Sequence, residues 1–410
     1  MSYVDCRRGP TRRRFLRAAA TMPALAAGLH LPVCASAADK VRIGAPLALS
    51  GALADEGKKQ QLAYMLWLER VNAAGGIAVG TRKLQVELVT YDYQSDEKRA
   101  QQLAERLITR DEVHFMTAPF GSGHAKVVAG VAERYGVPVI AVASSEPVHN
   151  QGYKYLFGTL APSIGLVDAM LGHFRKIKPD LKTIAILGRS DVFPKAMAGA
   201  MSAQAAKAGL RVVYESSYPV GTMDFSGALT AIRQAGPDWI YVTGYTADLI
   251  LARKQMADLG LGAPVVTMIT GPAYAEFTHG LKGLAENITS ATWWHSSQTY
   301  RSDDVFGSTQ AFAEAIKARA GVDPDYVYAS SAAALVVLQK AIEQAGTLDR
   351  ARVRDALAGL DVMTFYGPVR FREDGMNANR DLPIIQVQDG RPVVLYPTTM
   401  QQAEMRLGVQ

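Results

Sequence analysis

Val41-Arg42-Ile43-Gly44-Ala45-Pro46-Leu47-Ala48-Leu49-Ser50-Gly51-Ala52 begins as an apolar, partly β-branched run and ends on residues that break it. The pattern predicts a strand that gives way at Ser50-Gly51 to a helix over 56–73, with Leu62, Met65 and Leu66 on one helix face. Asn72-Ala73-Ala74-Gly75-Gly76-Ile77 stops that helix, because glycine accepts the positive φ that closes a helical turn. A second strand is expected over 84–91. A second helix opens after Ser95 as N-cap, with Asp96 and Glu97 in its first turn, where carboxylates suit the helix dipole. Ala100, Leu103, Ala104, Leu107 and Ile108 follow at i, i+3, i+4, i+7 and i+8, a stripe that faces a core.

The same alternation continues outward. Val113-His114-Phe115-Met116 and Val137-Pro138-Val139-Ile140 read as strands around a helix near 125–135. After Pro162 the grammar restarts with Thr183-Ile184-Ala185-Ile186-Leu187-Gly188, a helix near 196–208, Val212-Val213-Tyr214, Trp239-Ile240-Tyr241-Val242 and a helix over 247–259. Strands that alternate with helices imply parallel sheets covered by helices, here two successive Rossmann-like halves. Two more long helices are expected over 305–319 and 326–345, and the chain ends in strand-like Val369-Arg370-Phe371, Ile384-Ile385-Gln386-Val387 and Val393-Val394-Leu395.

The formal net charge of +6 is not spread along the chain. Arg7, Arg8, Arg12, Arg13, Arg14 and Arg17 stand against Asp5 alone within 1–38, so the remainder is nearly neutral. A nearly neutral domain lacks the standing basic face that nucleic acid requires. Residues 1–38 read as an export signal of the twin-arginine type, with Arg12-Arg13 as the pair, Phe15-Leu16 after it, a weakly apolar run from 18 to 33, and small residues Ala35, Ser36, Ala37 and Ala38 for cleavage. Val33 before Cys34 makes a poor lipidation site. Both cysteines, Cys6 and Cys34, fall in this segment, so no disulfide, thiolate nucleophile or cysteine-bound metal is expected after its removal.

The seven histidines show no H-x-x-x-H or H-x-x-E-H spacing, and no G-x-S-x-G, Walker or G-x-G-x-x-G pattern occurs. No metal site, cofactor or catalytic residue is expected. Ser95-x-x-Lys98 matches an S-x-x-K pattern, but a capped helix start explains it and the partner motifs are missing.

The opening Ile43-Gly44-Ala45-Pro46-Leu47 with Ser50-Gly51, the helix end Val71–Ile77, Tyr91-Asp92-Tyr93-Gln94-Ser95-Asp96, Ala132-Glu133-Arg134-Tyr135-Gly136-Val137-Pro138-Val139-Ile140 and Phe365-Tyr366-Gly367-Pro368-Val369-Arg370-Phe371 together give the decisive pattern. In order and spacing these segments resemble the leucine/isoleucine/valine-binding family of periplasmic receptors, which serve amino-acid-type ABC transporters. The resemblance implies an α/β fold of two Rossmann-like lobes with parallel central sheets, joined by a three-crossover hinge near 158–164, 289–296 and 362–367. It divides the chain into a first lobe over 39–160 and 291–363 and a second over 161–290 and 364–410. It also implies a monomer in the periplasm whose partners are a small carboxylate or amino acid and the permease subunits of the transporter. A ligand-sensing regulatory subunit and an amide hydrolase are the competing classes.

Ligand-facing groups of such a fold lie at the carboxyl ends of strands. Pro119-Phe120-Gly121-Ser122-Gly123-His124 stands there. Its open backbone N–H groups, the Ser122 hydroxyl and the helix start suit a carboxylate guest, against the plainer role of Ser122 as an N-cap. In Ala143-Ser144-Ser145-Glu146-Pro147 the resemblance assigns a ligand-binding carbonyl to Ala143 and a hydroxyl with its N–H to Ser145. Phe193 and Tyr245 fall where the family has aromatics, although core packing is the commoner fate of such residues. The loop Ile269-Thr270-Gly271-Pro272-Ala273-Tyr274 departs from the family, whose amino-acid binders carry an acid there for the ligand ammonium. Glu276 is displaced, and Asp191 and Asp248 read as turn and cap residues. A buried ammonium without a counter-charge is costly, so either another acid substitutes or the ligand is a carboxylic acid without an amino group. For that second ligand Tyr274, Trp293, Trp294 and His295 are candidate walls.

Overall fold

A computed structural model describes residues 40–378 and 382–409. The expected export segment, with its arginine pair and both cysteines, lies outside the described residues. From β1 (Val41–Leu47) the chain runs through α1 (Ala54–Ala73), β2 (Val86–Asp92), α2 (Glu97–Thr109), β3 (Phe115–Thr117), α3 (Ser122–Arg134), β4 (Val139–Ala141) and β5 (Leu156–Gly158). These strands form one all-parallel sheet in the order β2-β1-β3-β4-β5. Apart from the edge strand β2, whose Leu88, Val89 and Tyr91 are half-buried, their apolar residues are buried, which is why these strands read as near-continuous hydrophobic runs.

The chain continues as α4 (Ile164–Ile177), β6 (Thr183–Arg189), α5 (Val192–Lys207), β7 (Arg211–Tyr218), α6 (Ser226–Ala235), β8 (Trp239–Thr243), α7 (Thr246–Asp258), β9 (Val265–Ile269), α8 (Ala275–Leu281) and β10 (Thr289–Ala291). Next, α9 (Thr309–Ala320), α10 (Tyr326–Ala345) and α11 (Arg350–Ala358) follow. Of these α10 lies along α1, where Trp67 Nε1 donates to Gln339 Oε1 at 3.3 Å. Finally β11 (Ile384–Gln388) and β12 (Arg391–Tyr396) join the second sheet, whose order is β12-β11-β10-β9-β8-β6-β7. The strands β10, β9, β8, β6 and β7 are parallel, and β11 and β12 add to the other edge antiparallel. The α/β fold with two Rossmann-like lobes, expected from the sequence, is what the chain builds. Met376 still pairs with Gly158 of the first sheet whereas Ile384 belongs to the second.

Three local expectations are corrected. The buried residues of α1 include Glu56, Lys59, Gln60, Ala63, Tyr64, Leu66 and Trp67, while Met65 is exposed and Leu62 half-buried. Of the face expected from Leu62, Met65 and Leu66, Leu66 is buried as expected and the other two are not, because the start of α1 buries polar side chains against the second lobe. The N-cap of α2 is Asp96, whose carboxylate accepts from Arg99 N at 2.7 Å. Ser95 instead donates to Ser50 O and accepts from Leu53 N. The helix expected from 305 begins at Thr309, after Gly307 at φ +74 and the N-cap Ser308.

Gly57 fixes where α1 meets β1. An added Cβ would lie 1.9 Å from Ala48 O, so only glycine lets the helix approach the end of that strand.

Candidate ligand-binding site

The carboxyl ends of β3 and β4 bring two short loops together. Gly121, at φ +91, turns the chain into α3 and leaves Ser122 as its first residue. Ser145 Oγ donates to Ser122 Oγ at 3.0 Å, and both side chains are buried. With its oxygen already accepting, the Ser122 hydroxyl keeps its own hydrogen for a further partner. Ser122 is thus not a capping residue: the helix start carries no side-chain cap. A buried hydroxyl donor beside the first-turn amides and positive dipole end of a 13-residue helix is suited to a carboxylate.

The remaining wall is largely aromatic and drawn from both lobes. Tyr245, at the start of α7, meets Phe120 edge-on with ring centroids 5.8 Å apart. Phe193 packs on Tyr245 at 6.1 Å and on Trp293 at 5.9 Å, and Trp293 on Tyr326 at 4.9 Å. These rings, with Gly121, Ser122, Val142, Ala143, Ser144 and Leu160, enclose a cavity of about 10 Å³. That is room for roughly one water, so the walls from the two lobes rest almost on each other.

Behind Tyr245 lies a buried cation. The Arg189 guanidinium sits 4.4 Å from the Tyr245 ring, pairs with both oxygens of Asp191 at 2.8 Å, and donates to Asp248 Oδ2 at 2.7 Å. Asp248 also accepts from Tyr245 N at 3.2 Å, which fixes the tyrosine at its helix start. Burial opposes the charge on Arg189, but the two aspartates more than offset it and hold its pKa above the usual value.

A second buried cation lies between the lobes. Lys59 Nζ pairs with Asp325 at 2.8 Å and Glu276 at 2.7 Å and stands 4.2 Å over the Tyr274 ring. Burial opposes its charge too, and the two carboxylates outweigh it and raise its pKa. Three residues before it, Glu56 is 2% exposed and accepts from Thr246 Oγ1 of the second lobe at 3.1 Å. Burial pushes the Glu56 carboxyl up to about 7, although nearby Lys59 draws it down.

Of the residues singled out from the sequence, Ser122, Ala143, Ser144, Phe193, Tyr245 and Trp293 surround the small cavity. Ser145 stands behind Ser122. Gly123 faces Glu97 and Val192 instead, and His124 packs on Tyr93 with Nε2 3.1 Å from Ser95 O. Thr270, strained at φ +75, and Gly271 are buried at the end of β9 but do not line the cavity. The Tyr274 hydroxyl donates to Tyr326 at 2.8 Å, one layer back. Trp294 and His295 line a different cavity of about 400 Å³, beside Asp323 and Arg391. Glu56, Lys59, Gln60, Arg189 and Tyr326 were not singled out for ligand binding. For the α1 residues the signal was present as a polar i, i+3, i+4 cluster, which an exposed helix face would show equally well. Among the described residues no group of three or more His, Cys, Asp or Glu side chains is placed to hold a metal ion.

The profile of the periplasmic binding protein family matches residues 40–392. A leucine-, isoleucine-, valine-, threonine- and alanine-binding protein of Pseudomonas aeruginosa is 26% identical over 352 residues, which cover 85% of this chain and 90% of the relative. A leucine-binding protein from Thermotoga maritima superposes with a TM-score of 0.77 at 23% identity, covering 86% of this chain and 97% of that one. A solute-binding protein of Rhodopseudomonas palustris in complex with benzoate superposes with a TM-score of 0.72 at 19% identity, covering 87% and 96%. The two superpositions bear on the fold alone.

Proposed function

The chain belongs to the periplasmic binding protein family, and on that premise we propose that it captures a small carboxylate-bearing solute with an apolar body, foremost an α-amino acid, by closure of its lobes. It is the substrate-binding component of an ABC transporter of the branched-chain amino acid type, and its relatives are solute-binding proteins. One observation supports the ligand class: the Ser145–Ser122 hydroxyl pair at the head of α3 shares a small cavity with the rings of Phe193 and Tyr245 from the other lobe and of Phe120, Trp293 and Tyr326 from its own. A carboxylate accepts from the first, and an aliphatic or aromatic body packs on the second. Because the cavity holds about one water, solute must enter with the lobes apart. The closed form is then favoured because it alone contacts solute from both sides.

The amino-acid reading draws on the Pseudomonas relative. A carboxylic acid without an amino group is the second reading, supported by a cavity wall that contains Phe120, Phe193, Tyr245, Trp293 and Tyr326 and no acid. A thermal-shift panel of amino acids, hydroxybenzoates and short dicarboxylates tests both, since a ligand that binds only the folded state raises the melting temperature. A rise with one monocarboxylate class is expected; uniform silence sinks the receptor assignment. The partners follow from the family: permease subunits take the solute from the closed receptor, which acts as a monomer in the periplasm. Export by the twin-arginine route rests on Arg12-Arg13. Exchanging both for lysine should trap the precursor in the cytoplasm, and normal secretion would rule the route out.

A further inference from the structure

We propose that Glu56 receives the ammonium group of the solute, so that this cleft selects α-amino acids over the same acids without an amino group. The inference rests on the proposed carboxylate site at Ser122 and adds the opposite pole of the ligand. Leu53, Glu56 and Gln60 stand at i, i+3 and i+7, hence on one side of the first turns of α1. Leu53 Cδ1 lies 3.2 Å from where a Cβ on Gly121 would stand, and Gln60 Oε1 accepts from Phe120 N at 2.9 Å. Both neighbours of Glu56 on this face thus stand against the Phe120-Gly121 loop, and Glu56 itself lies behind the residues that line the cavity. From the other lobe Glu56 is met by Thr246, next in the chain to the wall residue Tyr245.

Charge accounting leaves two acids near these loops: half-buried Glu146, whose Oε2 accepts from Ser163 Oγ at 3.4 Å, and the buried Glu56. A buried ammonium needs an acid that no other cation holds. Asp191 and Asp248 are held by Arg189, and Asp325 and Glu276 by Lys59. Glu56 accepts from a hydroxyl and enters no ion pair among the described residues. The groups acting on it are Lys59 and Asp55 of its own helix. Tyr93, Tyr245, Tyr274 and Tyr326 face it from the neighbouring elements, and burial above all keeps them protonated. A carboxyl poised at about 7 by burial is partly neutral without a ligand and ionises when an ammonium arrives. Binding of an amino acid therefore expels a fraction of a proton near neutral pH.

The test is calorimetric titration with L-leucine and 4-methylpentanoate, and with L-phenylalanine and 3-phenylpropanoate, at pH 7. The intact protein should bind the better amino acid at least 10-fold tighter than its deaminated partner, and Glu56→Gln should erase that preference while changing binding of the deaminated acid less than about 3-fold. Equal or tighter binding of the deaminated acids by the intact protein overturns the assignment and leaves the carboxylate site standing. Silence toward all four overturns both. Should Glu56→Gln not fold, the intact protein decides alone: titrations in buffers of different ionisation enthalpy should show proton release with the amino acid and none with its deaminated partner. Absence of that release overturns the proposal.

Discussion

Lys59 Nζ lies 2.7 Å from Glu276 Oε2, and the two residues belong to opposite lobes. The lysine is 4% exposed and its second partner, Asp325, 3%, whereas Glu276 is 36% exposed. The contact therefore joins a buried pair to a solvent-washed acid, and its two ends should answer mutation differently. Lys59→Met strands Asp325 without a cation, at a cost of about 3–5 kcal/mol. Glu276→Gln removes a screened partner and should cost under about 1 kcal/mol. Urea unfolding of both variants measures this, and equal losses would show that Glu276, not Asp325, anchors the lysine.

Ser122→Ala removes the hydroxyl offered to a ligand carboxylate. A hydrogen bond to a charged group contributes about 1.5–3 kcal/mol, so solute affinity should fall roughly 10- to 150-fold. Ser145→Ala removes only the donor behind it and should fall by less. Calorimetric titration with whichever monocarboxylate raises the melting temperature ranks the two; unaltered affinity in Ser122→Ala would move the carboxylate elsewhere.

The fold was legible where burial is two-sided. Trp239-Ile240-Tyr241-Val242 reads as a strand because every residue of that apolar run is buried. By contrast α4 carries Gly165 and Gly172 inside it, and α11 is short and has charged residues at Arg350, Arg352, Arg354 and Asp355, so neither gave a clean helical period. At the cavity, Ser122 was placed by its loop just past a buried strand and Ser145 by the family resemblance, and the two hydroxyls meet. Glu56 and Lys59 were not legible: charges on the first turns of a helix look solvated until the second lobe covers them, and that contact is distant in sequence.

Gly57 and Gly199 should respond oppositely to alanine. At Gly57 the new methyl would overlap Ala48 O at 1.9 Å, a backbone atom that cannot step aside. The loss should reach or exceed the ~1–3 kcal/mol of ordinary overpacking. At Gly199, inside α5, a Cβ meets nothing within 4 Å, and alanine should add ~0.5–1 kcal/mol through helix propensity. Melting temperatures of the two variants check this, and a tolerated Gly57→Ala would mean that α1 approaches β1 less closely.

Glu56 also sets a pH dependence whose sign can be worked out. Its carboxyl moves from 4.5 to about 7 on folding, so between those values the native state holds more proton than the unfolded chain. Stability then falls as pH rises, by about 3 kcal/mol once the whole interval is crossed. His295 works against it: burial lowers its imidazole to about 4, so the unfolded chain holds more proton between about 4 and 6.5 and stability rises there. The intact protein alone would show a blunted profile. Subtracting the profile of Glu56→Gln, which retains His295, isolates the carboxyl. The difference, intact minus variant, should decline steadily from about pH 4.5 to 7 and flatten above. A flat difference across that range would mean that Glu56 is ionised in the folded protein at acid pH, which a buried carboxylate held by one hydroxyl could not sustain.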